Sequence, residues 1–580
     1  MLHSVGSQVT NGWNAFNAAV FGNSVSLSDC DFFSVNVTGT WVGTLKWMGS
    51  LDNVNWFDMA LQNANGAVTP AVSLTSTGTD KNGNYFASAG SGLLYVRVVT
   101  SAWTSGTAYV YTAKHRGTYV SGQDFWDTAM PFTRDAVFAI DASRSSVGET
   151  VVVNAGSGGT ALNATLGSTG GADSNDPLLL PWTGENYLYL PGVAGNYASA
   201  PDSAALDITG DVEMVCRVAL DDWSPATAQS FVGKWTTSTN QRSYNLQLSG
   251  TSLTILASSD GLNNGASEQC AVTFNTAVDG NTYWIKCTRA TGTGLCSFFY
   301  APDQSTEPAT WTSIGTNTMT YTGSIFSGSG IIEVGTVGQG ASFPLAGRMY
   351  RAIVRNGIGG TTVFDANLTT GITSGAQATF TESSSNAATV TINRSTAGRK
   401  SVAVTRPVWL LGTDDYMEVA DNALLNMDAS QSFTVVAVVR QWATPASYGR
   451  YVDKKNGGGA GVGWSLSNDT TTFTSASFIG DGTNGVGRTG TALIAGAAST
   501  VVGVTDRTAQ TQTTYANTTA SATTSIAAIG TLTNGLPMRV GCSALSAASY
   551  QDFELLAVAV FRRALTATEI ATINTYYGTA

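Results

Sequence analysis

Asp552 and Glu554 come nearest, among the residues of this chain, to a catalytic set. A retaining glycosidase needs two carboxyl groups about 5 to 5.5 Å apart, flanking the bond to be cut. On one strand that means acids at i and i+2, because alternate side chains share a face. Two acids so placed are far more often a surface or structural pair. Glu213 has Arg217, not a second acid, on its strand face, and the adjacent Asp221 and Asp222 suit a turn. The two histidines, His3 and His115, give no basis for a Ser–His triad: His3 lies in a terminal tail, and His115, inside Lys114-His115-Arg116, reads as a solvated edge residue. Neither G-x-S-x-G nor H-E-x-x-H occurs. The expectation is therefore a protein that binds and is not an enzyme. Trp235, Trp442 and Trp464 are the aromatics that could stack on sugar rings, although aromatics near alternating strands more often fill a core.

These residues must be positioned by β-structure. The 580 residues include 64 Gly, and only 12% are charged, too few for long Glu/Lys-rich helices. Apolar residues at 43% and aromatics at 10% suffice for several cores, and the length suggests roughly three to four domains. A net charge of −11 argues against nucleic acid as a partner. The six cysteines, Cys30, Cys216, Cys270, Cys287, Cys296 and Cys542, fit no zinc spacing. Cys216 lies on the apolar face of a strand and reads as an inert core thiol. Cys287 and Cys296 flank a turn, and either a disulfide across the hairpin or two free thiols would fit. The start of the chain has no signal-peptide pattern, and the apolar run Leu555 to Phe561 is a strand's length, too short to span a bilayer.

One phrase occurs twice, about 220 residues apart, a period that means duplicated domains and not a solenoid. The first copy runs from Asn196-Tyr197 to Pro201-Asp202-Ser203 and Leu206-Asp207. The second runs from Asp415-Tyr416 to Ala420-Asp421-Asn422 and Leu425-Asn426. An alternating strand follows each, with Val212, Met214, Cys216, Val218 and Leu220 on one face in the first, and Phe433, Val435, Ala437 and Val439 in the second. Each then reaches a short apolar segment ending in lysine, Phe231 to Lys234 and Tyr451 to Lys455. Near the end, Thr566 and Glu569 have capping-box spacing, and Ile570, Ile573 and Tyr577 follow at helical intervals.

The repeated phrase resembles the opening of laminin-G-like, concanavalin A-like lectin domains, and Arg563-Ala564-Leu565-Thr566 to Glu569-Ile570 resembles their exit. The resemblance implies jelly-roll sandwiches. Glucanases of that fold carry E-x-D-x-x-E, which is absent, and laminin-G-like domains usually keep an acid near Asp552 without catalysis. Such domains often hold calcium on rim loops, which makes Asp202, Asp421 and Asn422 the calcium candidates, although an Asp before Ser or Asn is also simply a turn former. Leu190 to Ser199, Ala346 to Ala352, Val408 to Val419 and Arg440 to Pro445 are similar to minor tail proteins of phages that infect actinobacteria. Gly39 to Trp56 resembles small sandwich domains at the start of many phage structural proteins.

The expected architecture is all-β: an N-terminal β-sandwich over 1–117 for attachment or assembly, a connector over 118–135, and lectin-like domains over 136–400 and 401–580. The expected protein is a virion component, assembled in the host cytoplasm and exposed outside, that binds a host-surface glycan by avidity. The alternatives are capsid decoration, a purely architectural tail-tip role, and a cell-wall polysaccharide depolymerase. Its expected partners are other virion proteins and copies of itself, in a trimer if it follows the habit of tail fibres. No heptad or collagen-like tract is present to drive such assembly.

Overall fold

The computed structural model describes residues 11–16, 25–26, 32–52, 54–59, 62–63, 73–78, 83–88, 95–115, 135–182, 184–396, 398–442, 448–469 and 473–579. His3 and nearly all of the expected connector lie outside these residues. The described chain is almost entirely antiparallel β-structure, as the composition predicts. No helix among the described residues is long and apolar enough to cross a membrane.

At the N-terminus two long strands, Phe32–Ser50 and Tyr95–His115, pair along their whole length. Alternation sends Val37, Trp41, Leu45 and Trp47 into the core, and the Trp41 and Trp103 rings stack with centroids 5.8 Å apart. The described strands of this region form one hydrogen-bonded sheet. Bulges at Val42/Gly43 and Thr44/Leu45 bend the long ribbon, so its two ends collect different partners. Asn11–Phe16 and Gly83–Ser88 pair at one end, Val25–Ser26 and Trp56–Asp58 at the other. His115 ends the second long strand, its backbone opposite Phe32.

The middle sandwich is built from the strands between Tyr187–Pro191 and Val402–Val404. One sheet is centred on Thr282–Arg289, Val212–Leu220 and Ala346–Asn356, and the other on Gln241–Ser249, Gln229–Thr236 and Ile332–Val334. Met214, Cys216 and Val218 meet Val232, Leu246 and Ile255 in a core of fully buried side chains. Thr389–Asn393, in the Ser/Thr-rich stretch, pairs with Tyr197–Ala200. The thiol of Cys216 is fully buried, and burial pushes its pKa up. Cys287 and Cys296 are both free. The hairpin register sets Cys287 opposite Phe298 and Cys296 opposite Arg289, so the two thiols are offset by two residues and do not face each other. Cys296 instead donates to the Gly294 carbonyl at 3.5 Å.

The C-terminal sandwich is assembled from two separate stretches of chain. Ala136–Asp141 pairs with the last strand, Phe553–Phe561, and Ala164–Leu166 pairs with Met417–Val419. Residues 136 to 179 thus join the C-terminal sandwich, not the first lectin-like domain in which the sequence placed them. The reason is visible in their composition. Ala136–Asp141 is buried at every position and needs cover on both faces. At the other border, Val402–Val404 pairs with Tyr187–Pro191 and belongs to the middle sandwich, although a boundary at 401 was expected.

The closing helix, Ala567–Tyr577, has its capping box: Thr566 Oγ1 accepts from the Glu569 amide at 3.3 Å, and the Thr566 amide donates to Glu569 Oε2 at 2.8 Å. Ile570, Ile573 and Tyr577 are buried, and the Tyr577 hydroxyl donates to Asp141. Thr566→Ala is expected to destabilise the C-terminal sandwich by about 1 kcal/mol, read from its transition in urea unfolding of the full chain.

Candidate functional site

Four neighbouring strands of the C-terminal sandwich build one cup: Arg450–Lys455, Gly463–Asn468, Thr474–Gly480 and Gly485–Ala492. Trp464, Leu466 and Ile479 point into the core, which leaves Ser465 and Phe478 on the opposite face. The register sets Asp453 beside Ser465, Ser465 beside Phe478, and Phe478 beside Gly487. A Cβ at 487 would stand 2.5 Å from the Phe478 ring, so only glycine lets that ring lie against the sheet. Tyr448 is 43% exposed and meets Phe478 edge-on, with centroids 5.8 Å apart. The glycine turn after Lys455 forms another wall. The Lys455 ammonium holds this turn by donating to the carbonyls of Gly457 and Gly459, both at 2.9 Å. The cavity measures about 370 Å³, within the range of small-ligand sites.

The cup is cationic within an acidic chain. Arg450 and Lys455 line it, and none of its described lining residues is a carboxylate. Asp453 lies nearby, with its Oδ1 3.8 Å from Arg450 Nε and its Oδ2 accepting from the Ala544 amide at 2.8 Å. Burial raises the Asp453 carboxyl above the usual range and lowers Lys455 to about 8. Such a cup offers ring faces, hydrogen bonds and positive charge. It has no acid pair for hydrolysis.

The residues singled out from sequence lie elsewhere. Trp235 is buried against Leu256 and Val337. Trp464 is buried beside Phe433 and donates its Nε1–H to the Leu425 carbonyl at 3.1 Å. Both are core residues and neither can stack on a ligand. Trp442 is half-buried and donates to Glu554 Oε1 at 2.9 Å, while Arg440 donates to the other oxygen. Glu554, one of the two acids of the candidate pair, is thus buried and bound on both oxygens. Glu213 is likewise engaged, by Arg355, which also pairs with Glu307 at 2.6 Å.

The calcium candidates hold an internal cation instead. Lys234, fully buried, ion-pairs with Asp202 at 2.7 Å and Asp207 at 2.6 Å. In the second copy Lys454 reaches Asp421 at 2.7 Å and the Leu536 carbonyl at 2.6 Å. Asn426 stands where the first copy has Asp207, and donates to Asp421 at 3.0 Å. Asn422 Oδ1 accepts from the Leu424 amide at 2.9 Å, closing a turn. A lysine ammonium sits at the carboxylates proposed for calcium, and no cluster of three or more metal-ligating side chains occurs among the described residues.

Sequence reading missed Tyr448, Arg450 and Phe478. The available signal was the pair of glycine-rich tracts, Gly457 to Gly461 and Gly480 to Gly487, on either side of the Trp464 strand.

No curated protein matches the chain significantly in sequence. Among solved structures, the chain is similar to the binding domain of Paraclostridial Mosquitocidal Protein 1, at 14% identity over 30% of this chain and TM-score 0.25, and it spans only 44% of that one. It is also similar to the Ruminococcus gnavus IT-sialidase CBM40 bound to α2,3-sialyllactose (14% identity, 29% of this chain, 91% of that one, TM-score 0.22). A third likeness is to domains LG4-5 of the mouse laminin α1 chain (10% identity, 68% of this chain, 96% of that one, TM-score 0.24). Residues 411–571, which contain the cup, match the family model Laminin_G_3 of the concanavalin A-like lectin/glucanases superfamily, so the chain carries a laminin-G-like domain in its C-terminal part.

Proposed function

We propose that this chain is a phage virion protein of the minor tail class whose laminin-G-like domain binds a glycan of the host surface, without cleaving it. The observation that carries the reading is the cup, where the exposed Tyr448 ring and the Phe478 ring stand beside two cations. A sugar offers an apolar face to such rings and hydroxyls to the polar groups around them. Weak sites of this kind gain strength from repetition on one particle. The motif resemblance to tail proteins supports the virion assignment, and the bound state of Glu554 supports binding over hydrolysis.

The test has two arms. Purified full-length chain is incubated with polysaccharide-bearing envelopes of an actinobacterial host, and Tyr448→Ala is expected to lower the retained amount about tenfold, the equivalent of about 1.4 kcal/mol. Equal retention of both proteins, or release of reducing sugar, would count against the proposal. Virions are labelled with antibody raised against the whole chain. Label at the tail that blocks adsorption supports host binding. Label on the capsid, or on the tail without a block, favours decoration or architecture.

A further inference from the structure

We infer that the cup selects a sugar bearing an anionic group, a carboxylate or a phosphate monoester, and that Arg450 is the residue that reads the charge. This rests on the glycan-binding reading above. The first reason is the state of the arginine. Its side chain lines the cup and is only 13% exposed, and its guanidinium makes no hydrogen bond to a described residue. The nearest carboxylate oxygen, on Asp453, stands at 3.8 Å, beyond hydrogen-bond range. Several other cations of the same sandwich meet a carboxylate at closer range: Arg440 with Glu554, Arg539 with Glu418 at 2.8 Å, and Lys454 with Asp421. A guanidinium is made to grip planar or tetrahedral oxyanions through paired N–H groups. Left short of partners on the wall of a cavity, it is a site awaiting an acceptor.

The second reason is the company it keeps. Lys455 adds a positive charge and has committed two of its three N–H donors to Gly457 and Gly459. With no carboxylate on the described lining, the cup is a positive spot on a chain of net charge −11. A free anion would need only the cations. The Tyr448 and Phe478 rings add a demand for an apolar face. A charged group carried on a sugar ring satisfies both.

The experiment is a glycan array of matched sets, in which each hexose and N-acetylhexosamine oligomer is present in neutral, carboxylated and phosphorylated form. It is probed with the full-length chain and with Arg450→Gln and Arg450→Lys. The expected result is that acidic members bind roughly 10- to 100-fold more tightly than their neutral partners. Arg450→Gln abolishes that ratio while neutral binding persists, and Arg450→Lys restores part of it. The carboxylated and phosphorylated arms distinguish which anion is preferred. Equal binding of neutral and acidic members by the unaltered chain would overturn the inference and leave glycan binding standing. Binding to no member would overturn both. The ratio for the unaltered chain needs no variant, so a misfolded substitution does not cloud the outcome.

Discussion

Replacing Asp202 and Asp207 together by asparagine is expected to cost the middle sandwich about 3–5 kcal/mol, more than Lys234→Met, which is expected to cost about 1–2 kcal/mol. The ranking follows from exposure. Lys234 has no exposed side-chain surface, whereas Asp202 and Asp207 keep 29% and 34% of theirs. Removing the carboxylates strands an ammonium where water cannot reach it. Removing the ammonium leaves two carboxylates that water already touches and can solvate further. The second copy sharpens the comparison. Lys454 also donates to the Leu536 carbonyl, so Asp421→Asn leaves it a partner and costs less than the double change at Asp202 and Asp207. Urea unfolding of the full chain, with the transitions of the two sandwiches resolved, measures all three. A Lys234→Met variant less stable than the double asparagine variant would show that the carboxylates, not the lysine, are the costly members.

A second large effect is expected at Glu333, and it depends on pH. This side chain is fully buried on the strand Ile332–Val334. Oε1 accepts from the Gly340 amide at 2.8 Å, while Oε2 has no hydrogen-bond partner. Desolvation dominates and lifts its pKa from 4.5 to about 7, with the backbone amides of Gln339, Gly340 and Gly338 pulling the other way. Between these two values the folded state keeps a proton that the unfolded chain has released. Stability is therefore full below about pH 4.5, falls as pH rises toward 7, and is level above that. The total is on the order of 3 kcal/mol, since each unit is worth about 1.4. Glu333→Gln imitates the protonated form. It should match the unaltered chain near pH 4.5 and exceed it by up to about 3 kcal/mol at pH 8. Urea midpoints at the two pH values test this, and a variant without advantage at pH 8 would refute the assignment.

What the sequence disclosed was chiefly local. Alternation placed Met214, Cys216 and Val218 in a core, and Thr566 with Glu569 in a capping box, because both patterns are written in neighbouring residues. The repeated phrase even displayed Asp202 and Asp421, each followed some 30 residues later by its lysine. That the lysines fold back onto those carboxylates depends on strand pairing across that interval, which no spacing reveals. The same limit hid the partner of Ala136–Asp141, which lies more than 400 residues onward in the chain. A slip of two in register decided Cys287 and Cys296. The cup draws one ring from the segment just before the strand Arg450–Lys455 and the other from Thr474–Gly480, so its aromatics look unremarkable until the sheet is assembled. Trp235 and Trp464 attracted notice by size, and size is what a core uses.

The split construction of the C-terminal sandwich has a consequence for the order of synthesis and for exchange of parts. The strands at 136–166 leave the ribosome long before the strand Phe553–Phe561 that covers them, so this sandwich closes only once that strand has been made. The middle sandwich is continuous, and its own first and last paired strands, Tyr187–Pro191 and Val402–Val404, are hydrogen-bonded neighbours. Its entry and exit therefore lie side by side. A unit with that geometry can be lifted out and replaced by another with the same spacing of ends without breaking its host. In chain order the middle sandwich is in this sense a cassette, and the C-terminal sandwich the frame that accepts it.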